Sequence, residues 1–162
     1  MKKLISLVAL VLLCASAQTA FSQQSNKDLV IQAARAMETA PASPETARLT
    51  SPALKWLIET EDVHLIVCGN VIGPMLEKKN KNGTAMIGAY TIGMGAFKIQ
   101  NPDRANDEDA AQLAGVELAL KVYEILVKEK PKTKFDPVEQ LIAKRNSGEL
   151  AASVKSAACG KK

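Results

Sequence analysis

The sequence offers few residues for nucleophilic or metal chemistry, because it contains one histidine and three cysteines. His64 precedes Cys68 by four residues, and a helix would place both side chains on one face, as a thiol nucleophile and its base require. A disulfide at Cys68 would remove that nucleophile. One histidine and two distant cysteines also fall short of the four ligands of a structural zinc site. We therefore interpret His64 as a partly exposed structural residue and expect no metal or cofactor.

Paired carboxylates are the next candidates for catalysis. Glu59 with Asp62, and Asp107 with Asp109, have the residue types of a glycosidase acid and base, but their spacing does not place them across a cleft. The acids around Asp107 also lack the alternating ligands and the closing glutamate of a calcium loop. Solvated surfaces and helix starts account for both pairs. We find no positive sign of catalysis and predict a protein that is not an enzyme.

The amino terminus has the pattern of a secretory signal peptide. Lys2 and Lys3 precede an uncharged apolar run, Leu4 to Leu13, and small residues follow up to Ser22. The run is about half the length that a membrane-spanning helix needs. We expect a cleaved signal over residues 1–22, one domain over residues 23–162, a periplasmic location and no stable membrane insertion. Cys14 follows a leucine, which disfavours lipidation.

Removal of the signal changes the composition of the chain. Taking 22 residues from 162 leaves 140, and losing two lysines but no acid lowers the net charge from +4 to +2. The remaining basic residues are not clustered, so we predict no nucleic-acid binding. Cys68 and Cys159 are the only cysteines left, and in an oxidising compartment they would most simply form one disulfide. Free or intermolecular thiols are the alternative.

Apolar spacing and capping residues predict helices throughout. The mature chain is expected to form an all-α, compact bundle of about five to seven helices with one disulfide. The expected helix starts are Asn26, Ser51-Pro52, Val63, Thr84, Ala110, Asp136-Pro137 and Glu149.

Residues 63–72 are ambiguous between helix and strand. Their β-branched side chains suit a strand. A lone strand, however, has no partner for its backbone hydrogen bonds, and no second strand candidate exists. We therefore predict a helix that ends or kinks at Gly73-Pro74.

Three glycines, Gly88, Gly93 and Gly95, fall within one predicted helix. Each lowers helix stability by about 1 kcal/mol relative to alanine. No G-x-G-x-x-G phosphate-binding pattern is present. We expect these glycines to allow the close approach of another helix.

Several short patterns resemble the periplasmic immunity proteins of type VI secretion amidase effectors. Those proteins combine a signal peptide, a helical domain and a cysteine pair. The matching features here are Cys68, Tyr90-Thr91-Ile92-Gly93, Gln112-Leu113 leading to Lys130-Pro131, and Cys159.

The resemblance implies a binding protein that blocks a peptidoglycan-cleaving enzyme, often as a homodimer. Loops on a rigid helical frame commonly carry recognition. We therefore expect partner contacts from two polar connections, Lys78 to Gly83 and Gln100 to Asp109. The other interpretation is that both are simple solvated loops. An acid- or envelope-stress periplasmic chaperone is the alternative function. The predicted partner-binding residues are Lys78, Lys79, Asn80, Lys81, Asn82, Asp103, Arg104 and Asp107.

Overall fold

The computed structural model describes residues 25–159. The predicted signal peptide and Cys14 lie outside this range. Within it the chain forms seven α-helices and no strand, which confirms the all-α prediction. The helices are α1 (25–39), α2 (Pro44–Glu59), α3 (Gly69–Leu76), α4 (Gly83–Gln100), α5 (Glu108–Glu129), α6 (Asp136–Asn146) and α7 (Leu150–Ala157). Short 3₁₀ turns, Pro102–Arg104 and Pro131–Thr133, precede α5 and α6.

The prediction that a helix begins at Ser51-Pro52 is wrong, because α2 already begins at Pro44. Ser43 caps it, accepting a hydrogen bond from the Thr46 backbone N–H at 3.0 Å. The buried Thr46 hydroxyl then donates to the Ala40 carbonyl at 2.7 Å. Ser43-Pro44 thus supplies the same start signal earlier in the chain. Pro52 is exposed within the helix, where water can bind the carbonyl that it leaves unpaired.

The prediction of one helix from Val63 to Ile72 is also wrong in its first half. Residues 63–68, which we call the strap, are neither helix nor strand, and α3 begins after them at Gly69. The expected stop at Gly73-Pro74 lies inside α3. Tertiary contacts at His64 and Cys68, described below, hold the strap in this conformation.

The centre of the fold is the antiparallel pair of α4 and α5. The prediction of close approach is confirmed at Gly93, where a Cβ atom would lie 2.9 Å from the Ala114 carbonyl oxygen and the Gly115 Cα. A Cβ at Gly95 would lie 2.7 Å from Leu57 of α2. Gly88 has more room, because a Cβ there would be 3.6 Å from the nearest Leu54 atom. Gly93 therefore sets the distance to α5, and Gly95 leaves room for the Leu57 side chain.

The remaining helices pack around this pair. α1 buries Val30, Ala33 and Met37, which lie on one face of the helix. α7 packs on α5, α6 and α3. A disulfide joins Cys68 to Cys159, with a Cα–Cα distance of 5.3 Å across a separation of 91 residues. It ties the end of the strap to the residues that follow α7, as expected from the sequence.

None of the helices in residues 25–159 is both long and apolar enough to cross a membrane.

Candidate protein-binding groove

The first predicted recognition loop, between α3 and α4, divides into buried and exposed residues. Asn80 is buried, donating to the Met75 carbonyl at 3.2 Å and accepting from the Asn82 backbone N–H at 3.0 Å. The buried Asn82 amide donates to the Thr133 hydroxyl at 3.1 Å. Both asparagines therefore hold the loop in place. The three lysines of the loop are exposed: Lys78, Lys79 and Lys81.

The second predicted loop, between α4 and α5, is held by its own contacts. Asp107 caps α5 by accepting from the Ala110 backbone N–H at 3.1 Å, and it pairs with Arg104 at 2.8 Å. These bonds hold the pKa of Asp107 below its usual range. Arg104 also lies over the Phe97 ring at 5.3 Å. Asp103 is exposed.

The structure does not bring the two loops together. They lie at opposite ends of α4, whose 18 residues make it about 27 Å long. A single small epitope cannot contain both loops. Partner binding by these eight residues stays a prediction.

An apolar groove of about 530 Å³ lies between α2, the strap and the first half of α4. Ile58 on its rim is 78% exposed and Val67 is 49% exposed. Large apolar side chains exposed beside a concave surface are typical of interaction sites. The lining residues are Leu54, Leu57, Ile58, Thr60, Val63, His64, Leu65, Val67, Thr84, Ile87, Gly88 and Thr91.

Lys98 fixes the strap wall of this groove. The Lys98 ammonium is buried and donates to the His64 carbonyl at 2.6 Å and to the Glu108 carboxylate at 2.5 Å. One buried cation therefore joins the strap to both central helices. This contact was not predicted from the sequence, although a lysine between Phe97 and Ile99 in an apolar helix is a usable signal.

The two ends of the groove carry opposite charge. At one end a depression shares Thr84 and Ile87 with the groove and contains Glu77 and Lys78. The exposed Lys79 and Lys81 follow in the same loop, so the cations there exceed the acids. At the other end a polar depression of about 320 Å³ shares Val63 and His64 with the groove. Its charged groups are Lys27, Glu61, Asp62, His64, Lys98 and Glu108.

The acids exceed the cations at this second end. Lys27 pairs with Asp62 at 3.4 Å and Lys98 pairs with Glu108, which leaves Glu61 and the nearby exposed Glu59. One buried oxygen of Glu108, Oε2, accepts no hydrogen bond from any residue in 25–159. The exposed Glu61 is the carboxylate at this end that a cationic group of a partner can reach.

A second buried network, also missed from the sequence, supports the disulfide. The Tyr90 hydroxyl donates to the Gln112 amide oxygen at 3.3 Å, and the Gln112 amide nitrogen lies 3.0 Å from the Cys68 sulfur. Burial raises the pKa of Tyr90 to about 12. The phenol is thus neutral at ordinary pH and positions the cysteine end of the strap.

The catalytic candidates from the sequence are not assembled into a site. Residues 64–68 are not helical, so the four-residue spacing does not place His64 and Cys68 on one helix face, and the Cys68 sulfur is bonded to Cys159. Asp62 and Asp107 each pair with a cation. In the part of the chain that the structure describes, no three histidine, cysteine or acidic residues are grouped as metal ligands.

Comparisons with known proteins give no relative: no family model, curated protein or solved structure matches this chain.

Proposed function

We propose that this chain is an exported, periplasmic binding protein that blocks a cell-wall hydrolase, and that its apolar groove is the surface that docks the enzyme. The exposure of Ile58 and Val67 beside a concave apolar surface carries the proposal. Burying apolar area contributes about 25 cal/mol per Å². The groove therefore offers binding energy that the polar loops do not.

Two further observations support an exported inhibitor. A disulfide is typical of proteins in oxidising compartments. The resemblance to immunity proteins of amidase effectors supplies the class of partner, a peptidoglycan-cleaving enzyme. In this proposal the loops at the two ends of α4 are secondary contacts, and the groove is the main one.

Native affinity capture from the cell envelope tests this function. The protein should recover a hydrolase and inhibit its peptidoglycan cleavage at a one-to-one ratio. Ile58→Asp should weaken inhibition by about tenfold or more, because it places a charge among apolar contacts. Since Ile58 is exposed, this change should leave the fold intact.

Ala151→Asp is the matched control, because Ala151 is exposed on α7 and does not line the groove. It should inhibit as well as the unchanged protein. Equal inhibition by both variants, or recovery of no hydrolase from strains that carry such toxins, would overturn the proposal.

A periplasmic stress chaperone is the second candidate, because exposed apolar side chains also bind unfolded clients. Leu76, 59% exposed near the basic end, extends the apolar surface. This function predicts that several unrelated clients are protected from aggregation at acid pH, and that Ile58→Asp reduces the protection. Protection of no client would exclude it.

A further inference from the structure

We infer that the strap is an acceptor for an added β-strand: the partner docks an extended segment along residues 63–67 and places alternate apolar side chains in the groove. This inference rests on the proposed function and names the shape and chemistry of the partner segment. Four observations carry it: the unpaired N–H groups of the strap, its fixation, its position along the groove and the charges at the ends of the groove.

The backbone of the strap has unused hydrogen-bonding groups. None of the N–H groups of residues 63–67 donates to another residue in the described part of the chain. Val63, Ile66 and Val67 are β-branched, a residue type that favours extended backbone. Cys68, which ends the strap, is extended with φ −97° and ψ 115°. Unpaired backbone groups of this kind are what an added strand pairs with at the edge of a sheet.

The strap is held in place before any partner arrives. Near its start the His64 carbonyl is bound by Lys98, and at its end Cys68 is bonded to Cys159. Val63 and Cys68 are buried, whereas Ile66 and Val67 are exposed. A fixed segment loses little further conformational entropy when a second strand pairs with it, which favours binding.

The groove lies along the strap and can take side chains from one face of an added strand. Five residues in extended form span about 17 Å, and every second side chain points to the same face. Val63, Leu65 and Val67, at this spacing, line the groove, and so does His64, whereas Ile66 does not. We therefore expect two or three apolar partner residues to enter it.

Charge specifies the ends of the partner segment. Lys78, Lys79 and Lys81 outnumber Glu77 at one end of the groove, so the segment carries acidic residues there. At the other end the acids Glu61, Asp62 and Glu108 outnumber the cations Lys27 and Lys98, so the segment carries lysine or arginine there. The partner segment is thus apolar in the middle with opposite charges at its ends.

A helical partner segment fits these observations less well. The backbone bonds of a helix are satisfied internally, so a helix in the groove would cover the N–H groups of the strap without pairing them. A second copy of this chain, pairing strap to strap, is the other occupant that the test distinguishes.

Synthetic peptides of about ten residues test the inference without any hydrolase. The probe has alternating valine and threonine in the middle, two aspartates at one end and two lysines at the other, and is made in both orders. One order should bind at least about tenfold more tightly than the same peptide with its alternate backbone nitrogens methylated. The inference would be overturned if the methylated peptides bound as tightly as the unmethylated ones. It would also be overturned if the peptide bound in neither of the two residue orders.

Residue-resolved amide exchange of the full exported protein gives the second readout. Binding should slow exchange at alternate N–H groups within residues 63–67. If these groups exchange unchanged while groove side chains respond, docking does not use the strap. If they are already protected in a peptide-free dimer, the occupant is a second copy and the inference fails.

Failure of the inference is distinguishable from failure of the proposed function. If Ile58→Asp removes hydrolase inhibition but the strap amides are unprotected in the complex, the proposed function holds and strand addition is excluded. If the peptide protects the strap amides but no hydrolase is recovered, strand addition holds and the proposed function is excluded.

Discussion

Gly93 and Gly115 set the distance between α4 and α5. A Cβ at Gly93 would meet backbone atoms at 2.9 Å, and such atoms cannot move aside as a side chain can. We expect Gly93→Ala to lower the free energy of unfolding by about 2 kcal/mol, since overpacking outweighs the gain in helix propensity. Urea unfolding of the purified variant measures this change.

Gly88→Ala is the internal control for that variant. The nearest atom would be Leu54 Cδ1 at 3.6 Å, an ordinary contact. The gain in helix propensity should therefore remain, raising the free energy of unfolding by up to about 1 kcal/mol. Equal destabilisation by both variants would contradict the close approach at Gly93.

Tyr90 gives the fold a sensitivity to alkaline pH. Its pKa is raised from 10.0 to about 12, chiefly because burial disfavours the phenolate. The neutral phenol therefore stabilises the fold fully below pH 10, and this contribution is lost as pH rises through about 12. The expected slope is about 1.4 kcal/mol per pH unit in that interval.

Tyr90→Phe tests this linkage. At pH 8 the variant should be less stable by about 1 kcal/mol, because the Gln112 amide oxygen loses its donor. Near pH 11 the difference should disappear, since phenylalanine has no proton to lose. Tyr123 is present in both proteins, so its own titration cancels. A difference in unfolding free energy that stays constant from pH 8 to pH 11 would contradict the assignment.

At the scale of elements, the strap depends on one buried ion pair. Lys98→Met leaves the His64 carbonyl and the Glu108 carboxylate without their shared donor. We expect a loss of about 2 kcal/mol, below the full cost of breaking a buried pair because Glu108 is 29% exposed. Amide exchange in residues 61–68 should become faster. Exchange in the middle of α5 should become faster only by the amount that the loss of global stability explains.

Lys132→Met, at an exposed lysine, is the matched control for Lys98→Met and should change stability by less than about 0.5 kcal/mol. The double variant Lys98→Met with Glu108→Leu should lose less than the sum of the single changes, because the charges act as a pair. Strict additivity would show that Lys98 and Glu108 do not interact.

The same elements show what the sequence could and could not predict. The helices that became α1, α4 and α5 were predicted from the sequence, because they are long and rich in apolar residues between polar loops. The start of α2 was misplaced because Ser43-Pro44 and Ser51-Pro52 carry the same local signal. The strap was misassigned because its conformation depends on Lys98 and Cys159, which are distant in the chain.

The candidate site was harder to predict than the fold. The two predicted loops are polar and visible in the sequence, but the groove is made of apolar residues from three separate segments. In the sequence these residues look like ordinary core positions. Only the packing of α2 beside α4 leaves Ile58 exposed while Leu57 is buried.

At the scale of the whole molecule, the disulfide couples distant parts of the fold. It closes a loop of 91 residues that includes both central helices. Chain entropy gives such a cross-link at most about 4 to 5 kcal/mol of stability. The bond also anchors the strap end that carries the proposed docking surface, so stability and binding should both depend on it.

Cys68→Ala with Cys159→Ala tests this dependence, because the double change leaves no free thiol at either end. The free energy of unfolding should fall by up to about 4 kcal/mol, and thiol reduction of the unchanged protein should produce a fall of similar size. The helical signal should persist in dilute buffer, since the contacts of α4 with α5 are retained. Exchange should become faster in the strap and in α7, the two segments that the bond joins. A loss below about 1 kcal/mol, or loosening confined to α7, would show that the strap is held by Lys98 alone.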